Sequence, residues 1–161
     1  ILINPEIIRN IVIIWLGGHA PYWPHTREFN LMQDYHASRL IFDCGVPLFQ
    51  IPCLPVASHL LAGVHELEAE LSGAGALGEY LVSIFADYMK EHEGPAKEIW
   101  DLSAVAYLCR PELVESVLLP SPVLNQELRW SRDERRHLIR IASRIDRNGV
   151  FHDLYEKLKA I

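Results

Sequence analysis

Six consecutive apolar residues, Ile11 to Leu16, are closed at once by Gly17-Gly18. A run this short, rich in β-branched side chains and without alternation, predicts a strand buried on both faces of a parallel sheet. The glycines mark its carboxyl end, where a binding loop can follow. Residues 19 to 30 then bring His19, Tyr22, Trp23, His25 and Arg27 among prolines, with no periodicity, and close on Glu28-Phe29-Asn30. That composition predicts a loop that binds something. From Asp34 to Cys44 the spacing of Ala37, Leu40, Ile41 and Cys44 is helical, with Gly45 where a C-cap glycine belongs. Val46 to Cys53 reads as the next strand, which completes a βαβ unit.

Beyond it, Pro55 and Ala57 open a helical stretch through Leu61, and His65–Leu71 and Ala76–His92 both space apolar residues by three and four. Leu102–Leu108 is a further amphipathic helix, with Asp101 in the N-cap position and Pro111 stopping it. Val114–Leu119, Val123–Trp130 and Leu138–Ile145 are strand candidates, and Phe151–Ala160 makes a closing helix. No repeat, low-complexity tract or linker divides residues 1–161, so one α/β domain is expected, with an open, mostly parallel sheet and flanking helices.

Half of the 161 residues are apolar, enough for a sizeable core. With 15 Lys plus Arg against 21 Asp plus Glu the net charge is −6, and no basic run is interleaved with aromatics, so nucleic acid is not an expected partner. No apolar stretch reaches the roughly 18 residues of a membrane helix. Cys44, Cys53 and Cys109 form no C-x-x-C pair and sit in apolar segments. They read as buried free thiols of a reducing, cytoplasmic compartment. The first residue is Ile rather than Met, inside what looks like a helix-to-strand connection, so a processed chain or a fragment is expected.

Leu16-Gly17-Gly18, then Arg27-Glu28-Phe29-Asn30 and Gln33-Asp34-Tyr35-His36-Ala37, resembles the nucleoside hydrolase pattern in which Gly-Gly after a strand leads to Ala-Glu-Phe-Asn and Asp-Pro-Glu-Ala. Trp100-Asp101-Leu102-Ser103-Ala104-Val105-Ala106-Tyr107, followed by Arg110-Pro111-Glu112-Leu113, is similar to the family's His-Asp-Pro-x-Ala-Val-Ala block. The ending, Arg144-Ile145-Asp146 and Phe151-His152-Asp153-Leu154, looks like the family's last strand and helix. The resemblance covers nearly the whole chain and corresponds to the C-terminal half of that Rossmann-like domain. The N-terminal half, with its Asp-x-Asp-x-x-x-Asp-Asp cluster, is not matched.

What the resemblance implies is calcium-dependent hydrolysis of the N-glycosidic bond of purine ribonucleosides to ribose and base. The complete protein would be a homo-oligomer, and this chain alone inactive without its missing half. A sugar-binding protein of the same fold with little catalysis is the alternative. The resemblance gives Glu28 and Asn30 the ribose hydroxyls, with Phe29 between them packed inward as an anchor, and Asp101 a place in the Ca2+ shell. Trp100, where many members have His, would stack on the purine; its other reading is a core-filling Trp. The loop lacks the Asn that the family carries there. His19 or His25 can replace that contact or protonate the leaving group, with Trp23 as a second stacking surface; otherwise substrate preference has changed or activity is gone, and His19 is a simple surface residue. Asp34 is expected to cap its helix. The remaining histidines show no metal-ligand spacing.

Overall fold

The computed structural model describes all 161 residues. After a 3-10 turn at Pro5–Arg9, the elements in chain order are β1 (Ile13–Leu16), α1 (Phe29–Gln33), α2 (Tyr35–Asp43), β2 (Leu48–Ile51), β3 (Leu61–Ala62), α3 (Val64–Leu71) and α4 (Gly75–Lys90). Then follow β4 (Lys97–Glu98), α5 (Leu102–Cys109), β5 (Val114–Pro120), β6 (Val123–Leu124), β7 (Trp130–Ser131), β8 (Leu138–Ile145) and α6 (Arg147–Lys159). The main sheet has the order β1-β2-β8-β5, with β1, β2 and β8 parallel and β5 antiparallel along β8. This is the expected α/β architecture with a mostly parallel sheet.

Each strand's alternation divides its side chains between two cores. Ile14, Leu16, Phe49, Ile51 and Ala142 face the larger core, which α3, α5 and α6 cover with Leu67, Leu71, Ala106, Val150 and Phe151. Ile13, Trp15, Leu48, Ile139 and Ile141 face the smaller one, closed by Phe42 of α2 and by Trp130. Because β2 is covered on both sides, all four of its residues are buried, and its third, Gln50, is the one polar member.

Four expectations need correction. Pro55–Leu61 is not a helix: only Ala57–His59 forms a 3-10 turn, and Leu61 pairs in β3 with Glu98. There Val56, Ala57 and Leu60 all go into the core, and tertiary burial outweighs helical spacing. Val123–Trp130 is a hairpin rather than a strand. Asn125 takes the Arg129 N–H on its side-chain oxygen at 2.9 Å, Leu128 adopts φ 57°, and the chain reverses between β6 and β7. α6 begins four residues before Phe151, at Arg147, because Asp146 caps it by accepting the Gly149 N–H. Finally, the cysteines are all free, but only Cys53 is buried; Cys44 is half-buried and Cys109 exposed. No helix is long and apolar enough to cross a membrane.

Candidate active site

The segment after β1 is laced into the fold peptide by peptide. The Gly17 N–H donates to the Ile51 carbonyl at 3.2 Å, and the Cys53 N–H donates to the Gly18 carbonyl at 2.8 Å. Next, the His19 N–H donates to Thr26 Oγ1 at 2.8 Å, and the Trp130 indole donates to the His19 carbonyl at 2.9 Å. Glycine is needed at both preceding positions. A Cβ on Gly17 would lie 2.2 Å from the Trp15 ring, while Gly18 has φ +67° and a Cβ there would sit 2.7 Å from Thr26 Oγ1.

This turn delivers its neighbours to Glu28. The Glu28 carboxylate accepts the N–H groups of Gly18 at 2.8 Å, Asn30 at 2.9 Å and Leu31 at 3.1 Å, and so caps α1. In the same cleft, burial followed by the charges of Glu28 and Asp101 pushes the Cys53 thiol up. A thiol held up in this way stays protonated and is a poor nucleophile. Asn30 Nδ2 donates to the Leu16 carbonyl at 3.0 Å.

These groups line one side of a cleft of 740 Å³, bounded by Leu16, His19, Glu28, Phe29, Asn30, Cys53, Leu54, Tyr88, Lys97, Trp100 and Asp101. Its size falls within the range of roughly 300–1,000 Å³ usual for small-molecule sites. It lies at the carboxyl ends of β1 and β2, where open α/β sheets bind ligands. His19 is buried, and its Nδ1 accepts the Leu54 N–H at 3.3 Å, so the neutral ring carries its proton on Nε2. Burial and then His25 hold it below the ordinary imidazole value, against the pull of Glu28. Lys97 Nζ lies 4.6 Å from the centre of the Tyr88 ring, which itself stacks on His92 at 3.7 Å.

Comparison with known proteins gives this cleft a context, although no family model matches the chain. The non-specific ribonucleoside hydrolase RihC of Klebsiella pneumoniae is 31% identical over 113 residues, which are 68% of this chain and 36% of that protein. The purine-preferring ribonucleoside hydrolase of Gardnerella vaginalis superposes with a TM-score of 0.78 at 21% identity, covering 99% of this chain and 55% of that one. The inosine-uridine preferring nucleoside hydrolase of Bacillus anthracis gives 0.75 at 13% identity, over 98% and 54%. The chain has the fold of the nucleoside hydrolases. It spans about half the length of these solved enzymes and matches their C-terminal portion.

Within this nucleoside hydrolase fold, His19, Glu28, Asn30, Trp100 and Asp101 converge on one cleft from three separate stretches of sequence. Trp23 does not line it; its ring meets that of His19 edge-on at 6.4 Å. Phe29, expected to pack inward, is 71% exposed at the cleft mouth, because α1 turns its buried face through Leu31 instead. His19 is buried, which removes its reading as a surface residue. Trp100 is half-buried, lining the cleft while also packing against the larger core. Asp34 caps α2 as expected, accepting the Ala37 N–H at 2.9 Å. Asp101 occupies the N-cap position of α5 but does not cap it: its backbone is already helical, at φ −71° and ψ −17°. Its carboxylate is left exposed to the cleft.

Tyr88, Lys97, Cys53 and Leu54 were not legible as site residues. Cys53 and Leu54 directly follow β2, and the strand's carboxyl end was the available signal. Tyr88 and Lys97 arrive through α4 and β4, and nothing in their local sequence points to a cleft.

The donor set bears on a metal. No group of three or more His, Cys, Asp or Glu side chains could hold an ion. Asp101 is one free carboxylate, whereas calcium takes six to eight oxygens. Asp101 is the one cleft carboxylate not engaged by the backbone, so the residues of this chain do not by themselves make a calcium site.

Proposed function

We propose that the cleft binds the ribosyl part of a purine ribonucleoside, and that the protein containing it hydrolyses the N-glycosidic bond to ribose and base. One observation carries this: the turn after β1, the start of α1 and the start of α5 bring His19, Glu28, Asn30, Trp100 and Asp101 to a single cleft at the strand ends. The names of the relatives support the same chemistry.

In this reading the residues divide their work by what each has free. Asn30 has spent one N–H on Leu16, but its carbonyl oxygen takes no bond from the protein and is available to a sugar hydroxyl. Glu28 already accepts three backbone N–H groups, so its main work is to hold the Gly17–Gly18 turn and the start of α1 as the wall against which the sugar lies. Trp100 offers a ring face to the departing base, where stacking favours a purine. His19 is neutral with a proton on Nε2, so it can donate a hydrogen bond on the leaving-group side of the cleft. Trp23 steadies the His19 ring from its edge. Calcium, as proposed for this chemistry, would polarise ribose hydroxyls and a water, with Asp101 as one ligand and the other oxygens from outside these 161 residues.

The test is ribose release from inosine, guanosine, adenosine and uridine with calcium present. Release fastest from the purines is expected, and a protein inert to all four overturns the proposal. In the same experiment, calorimetry on the 161-residue chain is expected to show calcium binding no tighter than about 1 mM, the weak end for oxygen-ligand sites.

A second reading has its own support. With Glu28 saturated by the backbone, a polyol can bind here without turnover. Heat on titrating free ribose, combined with no release from any nucleoside, would favour a sugar-binding protein.

A further inference from the structure

We infer that Gln50 is a positioning residue: from the buried face of β2 it locks the Gly17–Gly18 peptide in the orientation that holds Glu28 in the cleft. The inference rests on the proposed substrate-side place of Glu28 and goes beyond it.

Gln50 is 0% exposed and lies between Trp15 on β1 and Ile141 on β8, with apolar side chains on the same face. Its Nε2 donates to the Gly17 carbonyl at 3.0 Å, while its Oε1 is buried without a partner. A buried amide with an unpaired acceptor costs stability relative to an apolar side chain of the same shape. The rest of β2 is apolar: Leu48 shares the face of Gln50, and Phe49 and Ile51 line the opposite one. Core packing therefore gives no reason for an amide here, and what the Nε2 donates to does.

The Gly17 carbonyl and the Gly18 N–H belong to one planar peptide and point in opposite directions. Fixing the oxygen fixes the hydrogen. The Gly18 N–H donates to Glu28 Oε2, with nitrogen and oxygen 2.8 Å apart. The two neighbouring peptides are tied separately, through the Gly17 N–H to Ile51 and the Gly18 carbonyl to Cys53, so only Gln50 and Glu28 hold the peptide between the glycines. A peptide flanked by two glycines is also the one most free to flip, since neither residue has a Cβ to oppose it. Flipped, it would turn a carbonyl oxygen toward the Glu28 carboxylate and drive it away. Gln50 supplies from 33 residues along the chain the constraint that Gly-Gly lacks.

Gln50→Leu keeps the volume and removes both the donor and the orphaned oxygen. The melting temperature is expected to stay level or rise. By NMR, exchange of the Gly18 amide should accelerate by about tenfold or more, as local opening becomes easier, with Asn30 and Leu31 following and the β2 amides unchanged. Unchanged Gly18, Asn30 and Leu31 exchange in a folded Gln50→Leu protein overturns the inference. So does a uniform acceleration that tracks a lower melting temperature, which is the mark of a merely structural role. If Gln50→Leu does not fold, Gln50→Met is read by the same criteria. Where the protein turns over a nucleoside, KM should rise more than kcat falls. The exchange result stands without turnover, so failure of the proposed activity and failure of the positioning role are distinguishable.

Discussion

At the scale of single residues, the cleft is decided by which atoms are already engaged. Glu28 and Asn30 look alike in sequence as two polar side chains ready for hydroxyls. In the fold the carboxylate is consumed by three backbone N–H groups, while the amide keeps its oxygen free. His19 carries the clearest pH signature. Its folded value is held below the ordinary 6.5, so below that pH the unfolded chain binds the proton more readily than the folded one. Its contribution is present above about pH 6.5 and lost as pH falls through the folded value. Thermal melts from about pH 7.5 down to about pH 5 should show a declining midpoint, with a shallower decline in His19→Gln. Parallel profiles for the two proteins would show that His19 contributes nothing to the slope.

Among the elements, the turn that opens the connection from β1 to α1 matters most, because every carbonyl and N–H of Gly17, Gly18 and His19 has a partner elsewhere. Gly18→Ala places a Cβ 2.7 Å from Thr26 Oγ1 and 3.0 Å from a Leu31 methyl, at φ +67°. A loss of about 1–3 kcal/mol is expected from the backbone conformation alone, measurable by urea denaturation. An unchanged midpoint would mean that the turn relaxes freely and has no fixed geometry to give Glu28. The sequence placed β1, β2, α2, α5 and β8 well, since each shows an uninterrupted period or run. It mistook the β6–β7 hairpin for one strand because Asn125 does its turning through a side-chain bond that apolar spacing does not register. It started α6 late because Gly149 lies inside the helix that Asp146 begins.

On the scale of the whole molecule, the sheet ends at β1, whose outer edge has no strand beside it. Ile13, Ile14 and Trp15 are only half-buried there, and Val12 just before them is 66% exposed. An apolar edge of this kind invites pairing with another chain. Sedimentation of the 161-residue chain should show average mass rising with concentration, and Val12→Lys should reduce the rise. A strictly monomeric chain at every concentration would mean that the edge is adequately protected by its own twist and neighbours. What the sequence by itself determined is the α/β class, most of the elements and five of the residues that meet in the cleft, because hydrophobic period and short motifs are local. What only the tertiary structure decided is the state of those residues: the burial of His19, the engagement of Glu28, the exposure of Phe29, and Gln50 behind the glycines. The physical reason is that a hydrogen bond is set by distance in space. The partners here lie 10 residues apart for Gly18 and Glu28, 33 for Gln50 and Gly17, and 111 for Trp130 and His19, separations that only the packed sheet closes.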